Sequence, residues 1–283
     1  LSSFEKLRKY ILDNFDFESI VDFGTELFDG KVGHNPIVAW INRNSYTNKN
    51  ILGIRLVDYC YARRNEKKLE FLNKKNYFIQ KQDNLKQIPG KTLTYWINEK
   101  FIQCFKTGKR VDSFAYPKQG LATGDNNRFL KLWFEVDYNK IDFDCLTKEE
   151  ALATEKKWFP YNKGGGYRKW YGNNEYVINW KKDGLELRSF KGSVIRSPQY
   201  YFREGLSWCK VTSGNFSMRY IPNGFIFDVA GCTLFTDEKD MYYLLAFMNS
   251  NVNEAILKFI SPTLNYEVGH IGSLPIIYND KYI

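Results

Sequence analysis

Histidine is scarce in this sequence: only His34 and His270 occur among its 283 residues. A serine or cysteine nucleophile needs an activating histidine, and protein zinc sites draw on histidine or clustered cysteine. The five cysteines are scattered and form no Cys-x-x-Cys pair, which is typical of reduced thiols in the cytosol. The mean hydropathy is −0.48, and no apolar run reaches the ~18 residues of a membrane span. The sequence therefore predicts no nucleophilic triad, no zinc site and no membrane partner.

Phosphate-binding glycine motifs are also absent. The triplet Gly164–Gly166 is not followed by Lys-Ser or Lys-Thr, and no Gly-x-Gly-x-x-Gly sequence occurs. The carboxylates of Glu135–Asp137 come closest to a metal-dependent nuclease cluster, but the rest of such a motif is missing. A self-contained enzyme such as a nuclease is therefore the least favoured function.

Basic charge is abundant and unevenly distributed. The chain has 41 Lys and Arg against 32 Asp and Glu, a net charge of +9, and 17% of its residues are aromatic. Residues 49–110 hold 15 basic and 5 acidic side chains, and residues 156–219 hold 13 and 4. Two basic blocks between acidic segments favour a cationic groove for nucleic acid, although solvated surface loops remain the alternative for either block.

Hydrophobic periodicity predicts a mixed α+β fold. Apolar residues at helical spacing predict a helix over 4–15, and short apolar runs predict strands at 19–23 and 36–41. The clearest helix is predicted over Met241–Ile260, before Pro262, and a short strand over 274–277 closes the chain. The polar segment around Thr47–Asn50 is the best candidate for a domain boundary.

The first candidate site is the polar, glycine-containing stretch 119–128. Backbone N–H groups in such a turn can hold a phosphate, and asparagine and arginine side chains can read the edges of bases. An Asx-type turn between two strands is the alternative. The candidate DNA-binding residues here are Thr123, Asp125, Asn126, Asn127 and Arg128.

The second candidate site is the stretch 156–174, where basic residues alternate with Trp and Tyr around three glycines. This composition is typical of a nucleic-acid contact loop, in which cations meet phosphates and aromatic rings stack on exposed bases. Phosphate contacts are assigned to Lys163, Arg168 and Lys169. The remaining candidates are Tyr167, Trp170, Asn173 and Asn174.

These stretches resemble the C-terminal half of large adenine-specific DNA methyltransferases, in particular those of BREX phage defence and of fused type II restriction–modification enzymes. The resemblance covers nearly the whole chain. Its most specific part is Lys157–Gly165 with Arg168–Gly172; the other matching segments are Gly120–Trp133, the rest of Lys157–Trp180, Thr263–Gly269, Leu274–Ile277 and the opening residues 2–10, 20–24 and 27–28.

The resemblance implies that residues 1–48 are the trailing helix and strands of a Rossmann-like methyltransferase sheet. Residues 49–283 would then form a target-recognition domain. The family's catalytic Asn-Pro-Pro-Tyr/Phe tetrapeptide is missing, and Asn35–Val38 is no substitute because the second proline and the aromatic residue are absent. The glycine-rich S-adenosylmethionine motif is missing as well. We therefore expect a fragment without catalytic or cofactor-binding residues. The parent enzyme would bind S-adenosylmethionine through residues that lie upstream of Leu1.

The implied function is recognition of a target sequence in duplex DNA, while the catalytic half flips out an adenine and methylates its N6. The implied partners are double-stranded DNA, the upstream catalytic domain and other defence proteins, in the bacterial cytoplasm. The alternative from a different class is a protein-interaction module that assembles a defence complex.

Overall fold

The computed structural model of the protein describes residues 4–28, 36–42, 46–261 and 264–277. It contains two compact units, unit 1 over Leu1–Thr107 and unit 2 over Gly108–Ile283. Both combine helices with sheets, so the predicted α+β class is confirmed. None of the helices in these described ranges is long and apolar enough to cross a bilayer.

Unit 1 is built on a four-stranded mixed sheet with the order β2-β1-β3-β4. Strand β1 pairs antiparallel with β2 and parallel with β3, and β3 pairs antiparallel with β4. The helix and the two strands predicted at the start of the chain are confirmed. The elements are α1 Glu5–Asn14, β1 Asp16–Asp22, β2 Ile37–Asn42, β3 Asn50–Arg55, α2 Lys67–Glu70, β4 Tyr77–Lys81, α3 Gln82–Leu85 and α4 Glu99–Thr107.

The predicted boundary between residues 48 and 49 crosses this sheet, because β1 and β3 lie on either side of it and share a parallel ladder. The assignment of separate functions to 1–48 and 49–283 stays a prediction.

Strand β2 forms one edge of the sheet, and its side chains are exposed on both faces although most are apolar. Ile37 and Trp40 are 56% and 55% exposed. Such an edge is a template for a further strand or a covering element.

Gly53 in β3 lies directly under the ring of Tyr95, which is buried and donates a hydrogen bond to the Ile54 carbonyl. A Cβ atom at Gly53 would stand 1.9 Å from this ring. We expect Gly53→Ala to lower the free energy of unfolding by ~1–3 kcal/mol, because an overpacked core must shift its side chains. Urea unfolding measures the change. Gly269→Ala is the matched control, since nothing lies within 4 Å of its Cβ position; equal stability of both variants would contradict the prediction.

Unit 2 contains two larger sheets, with the orders β13-β8-β10-β7 and β6-β14-β11-β12-β9, and a small pair β15-β5. A large apolar cluster of unit 2 lies around β8 and β10 and includes Phe159, Tyr161 and Trp180. The strands are β5 Lys109–Arg110, β6 Tyr116–Lys118, β7 Leu130–Leu132, β8 Trp158–Asn162, β9 Trp170–Tyr171, β10 Tyr176–Asn179, β11 Gly205–Cys209, β12 Met218–Ile221, β13 Ile226–Phe227, β14 Gly231–Phe235 and β15 Pro275–Ile276. The helices are α5 Asn126–Phe129, α6 Lys148–Ala153, α7 Lys181–Ser189, α8 Glu238–Met248, α9 Asn251–Ile260 and α10 Val268–Gly272.

The prediction of one helix over Met241–Ile260 is wrong, because the chain forms two helices, α8 and α9. The Asn249 side chain exchanges hydrogen bonds with the backbone N–H and C=O of Met218, at 3.0 and 2.8 Å, and the next residue, Ser250, has an extended backbone that ends the helical path. Ser250 then caps α9 by accepting the Asn253 N–H. The predicted closing strand is present as β15. His34 and Pro262 lie outside the described residues.

Candidate nucleic-acid interface

Three of the predicted site residues meet in one cleft of unit 2. The Thr123 hydroxyl donates to the Asn126 Oδ1 at 2.6 Å, and the Lys163 ammonium lies 3.4 Å from the same oxygen. The cleft has a volume of about 270 Å³, and its lining residues are Ala122, Thr123, Gly124, Asn126, Lys163, Asp228 and Val229. The turn before α5 and the end of β8 therefore contribute to the same surface.

A buried carboxylate, Asp228, forms the base of this cleft and holds Lys163 in place. The Lys163 ammonium donates to Asp228 Oδ2 at 2.7 Å, and the Tyr161 hydroxyl donates to the same oxygen at 2.6 Å. The Ala230 N–H donates to Asp228 Oδ1. Burial, and then the neighbouring Asp228, raise the pKa of Tyr161 well above its usual value, so the phenol stays protonated. No periodicity or motif singled out Asp228, which simply follows the two-residue strand β13.

The other residues predicted in the first stretch do not enter the cleft. Asp125 caps the short helix α5 by accepting the Arg128 N–H at 3.1 Å. Arg128 itself forms an ion pair with Glu186 at 2.7 Å, and this hydrogen bond is the main cause that lowers the pKa of Glu186. Asn127 is exposed next to Asn126. The turn needs Gly124, because its φ is +74° and a Cβ there would stand 2.4 Å from the backbone of Gly192.

The second predicted stretch, 156–174, is only partly a loop, because Trp158–Asn162 form the buried strand β8. Residues 163–174 form the loop, which we call the aromatic loop. Its first glycines, Gly164 and Gly165, both have left-handed backbones with φ near +100° (96° and 105°). The loop is fixed at its start, because the buried Asn162 side chain accepts the Gly164 N–H and Arg219 donates to the Gly164 carbonyl at 2.8 Å. Further along, the Ser217 hydroxyl accepts the Arg168 N–H at 3.2 Å. These contacts give the loop a defined shape.

The aromatic loop presents its rings to solvent. Tyr167 and Trp170 are 55% and 53% exposed, and Trp170 has a left-handed φ of 76° that is unusual for a bulky residue. Trp170 lies in β9, which pairs parallel with β12 opposite Arg219. Asn173 closes the loop, because its amide donates to the Gly166 carbonyl at 2.9 Å. The side chain of Asn174 is half-buried, and its Oδ1 has no partner in the described part of the chain.

Within the described ranges, three of the four predicted cations have a partner and one has none. Lys163 is bound to Asp228, Lys169 donates to the Asn249 carbonyl at 2.8 Å, and Arg128 is paired with Glu186. The Arg168 guanidinium is exposed, lies over Gly172, and has no hydrogen-bond or ion-pair partner among the residues described. The loop thus holds a positive charge that is available for an anion.

Arg219 is a further residue of this site and lies beneath the loop. It is fully buried, and among the described residues only its Nη2 finds a partner, the Gly164 carbonyl. The Nε and Nη1 atoms are buried without a partner, and burial lowers the pKa of the guanidinium. A buried charge with so few partners is unfavourable for stability. Its one contact holds the loop.

The carboxylates of the nuclease-like segment have local structural contacts. Glu135 accepts the Leu132 N–H at 2.7 Å, and Asp137 accepts the Asn139 N–H at 3.0 Å. Both therefore fix tight turns on the surface of unit 2.

Comparison with known proteins gives two long alignments. The chain is 38% identical over 289 residues to the adenine-specific methyltransferase BrxX of Escherichia coli O9:H4 (strain HS), covering 99% of this chain. It is 34% identical over 295 residues to the adenine-specific methyltransferase PglX of Lacticaseibacillus casei (strain Zhang), covering 98% of it. The chain is homologous to part of these adenine-specific methyltransferases. The predicted resemblance is thereby confirmed.

The chain spans about a quarter of the length of these methyltransferase relatives, 23% of BrxX and 24% of PglX. No protein-family model matches it. Among solved structures, the type IIG restriction endonuclease BpuSI aligns with 98% of this chain and 39% of its own, at 10% identity and a TM-score of 0.38.

Proposed function

We propose that this chain is the DNA-recognition part of an adenine-N6 DNA methyltransferase of a bacterial phage-defence or restriction–modification system. In this proposal the S-adenosylmethionine site and the catalytic residues belong to another part of the parent protein. The observation that carries the proposal is the aromatic loop, which exposes the rings of Tyr167 and Trp170 and the cation of Arg168, a side chain without a partner among the described residues. Cations bind the phosphates of DNA, and exposed rings can stack on bases that have left the duplex stack.

The rigidity of the aromatic loop supports this proposal. Its backbone is held by Asn162, Arg219 and Ser217, so little conformational entropy is lost when the loop meets a ligand. The cleft of Thr123, Asn126 and Lys163 adds polar groups that are suited to base edges. Phosphate contacts would fix the register on the duplex, and the cleft would select the sequence.

The proposal includes the upstream catalytic domain as a partner and the cytoplasm as the location. Strand β2 supports the first part, because it presents an apolar edge on unit 1 that a further part of the same sheet would cover. The five free cysteines support the second, since reduced thiols are usual in the cytosol.

The test is binding of the 283-residue protein to a pool of random duplexes at two salt concentrations, followed by sequencing of the retained DNA. We expect Arg168→Gln to weaken binding equally for all sequences and to reduce the slope of log K against log salt by about one, the value for one lost phosphate contact. Lys239→Gln removes the same charge from an exposed position on α8 and is the control.

An enriched motif whose binding is salt-sensitive is the expected outcome. Absence of binding at low salt would overturn autonomous DNA recognition. An unchanged salt slope for Arg168→Gln would remove this residue, and with it the aromatic loop, from the phosphate contact.

A second candidate function, a protein-interaction module, is favoured by a surface on the segment 133–155. Trp133, Phe134 and Tyr138 are 44%, 62% and 65% exposed there. The same segment holds seven acidic side chains against two lysines, which repels DNA. Sedimentation of the protein with other purified defence proteins tests this function: a defined stoichiometry that Phe134→Asp abolishes would support it, and its absence would count against it.

A further inference from the structure

The amide of Asn126 has a fixed orientation. Its Oδ1 accepts the Thr123 hydroxyl at 2.6 Å and faces the Lys163 ammonium at 3.4 Å. An ammonium group has only donors, so the oxygen of the amide, not its NH₂ group, must face Lys163. Lys163 is itself fixed by Asp228 at 2.7 Å. Two neighbours therefore hold the amide oxygen toward the inside of the cleft.

This orientation leaves Asn126 as a donor. A carbonyl oxygen accepts about two hydrogen bonds, and Thr123 and Lys163 supply both. The Asn126 Nδ2 has no partner among the described residues, and the side chain is exposed at the cleft. The carboxylate of Asp228 is not offered to a ligand either, because it is 1% exposed and already accepts hydrogen bonds from Tyr161, Lys163 and the Ala230 N–H. Apart from backbone carbonyls, the mouth of the cleft offers donors to a ligand.

We propose that Asn126 reads a base edge that carries acceptors only, which in the major groove is the N7 and O6 edge of guanine. This inference rests on the proposed function of DNA recognition. An asparagine that binds adenine in two-point fashion donates to N7 and accepts from the N6 amino group. The second bond is blocked here because the Asn126 oxygen is occupied. Guanine has two adjacent acceptors, whereas thymine has one. Guanine therefore fits the two N–H donors of the Asn126 amide best.

The experiment compares the motifs selected from random duplexes by the wild-type protein and by Asn126→Ala, Thr123→Val and Asn139→Ala. We expect the wild-type motif to contain a guanine whose preference, roughly 5- to 150-fold for a good two-point contact, is lost in Asn126→Ala at that position alone. Thr123→Val frees one lone pair of the amide oxygen, so adenine becomes acceptable at the same position. Asn139→Ala, an exposed asparagine on another turn, leaves the motif unchanged.

The possible outcomes distinguish a failure of this inference from a failure of the proposed function. No enriched motif from the wild-type protein would remove the proposed function, and the inference with it. A wild-type motif that Asn126→Ala leaves intact would overturn the inference alone. A uniform loss of affinity at all sequences would also overturn it, because it would mark Asn126 as a phosphate contact.

Discussion

Replacement of Asp228 with alanine should lower the free energy of unfolding of unit 2 by ~3–5 kcal/mol, the range for breaking a buried charged contact. The carboxylate is 1% exposed and accepts hydrogen bonds from Tyr161, Lys163 and the Ala230 N–H. Its removal leaves a fully buried phenol without an acceptor, which alone costs about 1–3 kcal/mol. It also leaves the Lys163 ammonium, whose side chain is 27% exposed, without its counter-charge.

Urea unfolding of the purified protein measures this change. Asp228→Asn is the informative comparison, since it keeps the size of the side chain but turns an NH₂ group either to the donors of Tyr161 and Lys163 or to the Ala230 N–H. We therefore expect the asparagine variant to recover little of the lost stability. A loss below about 1 kcal/mol in the alanine variant would show that the three contacts contribute no more than a typical surface group. Recovery of wild-type stability by asparagine would show that the negative charge is not needed.

Replacement of Arg219 with methionine should separate stability from binding. The guanidinium is fully buried, and its Nε and Nη1 have no partner in the described ranges. Substituting apolar residues for buried charges is often neutral or stabilising by ~1–4 kcal/mol. We expect Arg219→Met to unfold at the same or a higher urea concentration than the wild type. The Gly164 carbonyl loses its anchor in this variant, so DNA affinity should fall by about tenfold, equivalent to ~1.4 kcal/mol of loop ordering.

Lys239→Met is the control for this experiment, because it removes one positive charge from an exposed position outside the aromatic loop. It should leave both stability and binding as they are. A marked loss of stability in Arg219→Met would mean that the buried guanidinium is a net stabilising group. Unchanged DNA affinity in a folded Arg219→Met protein would mean that the Gly164 anchor does not shape the loop for binding.

Much of the fold could be predicted because its signals are local. The helical spacing of residues 4–15 and the apolar runs at 19–23 and 36–41 each describe one element, and each element is present. The break between α8 and α9 could not be predicted in the same way. The apolar stripe runs across it, and the cause is the contact of Asn249 with Met218, which lies 31 residues away in sequence.

The same difference between local signals and tertiary contacts applies to the candidate site. The glycines and aromatic residues of 163–174 mark a loop by composition alone, and the loop is there. The availability of each cation is a tertiary property. Arg128 is paired with Glu186, 58 residues away, and Lys163 with Asp228, 65 residues away, whereas Arg168 has no partner among the residues described. No spacing within the stretch distinguishes these three side chains.

The side chain of Asn162 has a consequence for the order in which the protein matures. Its amide donates to the Gly231 carbonyl, 69 residues further along the chain, and to the Thr233 hydroxyl. A ribosome adds about 5–20 residues per second, so Gly231 is made roughly 3–14 s after Asn162. During that interval the Asn162 side chain, which accepts the Gly164 N–H at the start of the aromatic loop, lacks both of these partners. The Ser217 and Arg219 contacts of the loop need no residue beyond 219, but a chain halted before residue 231 cannot complete the bonds that orient Asn162.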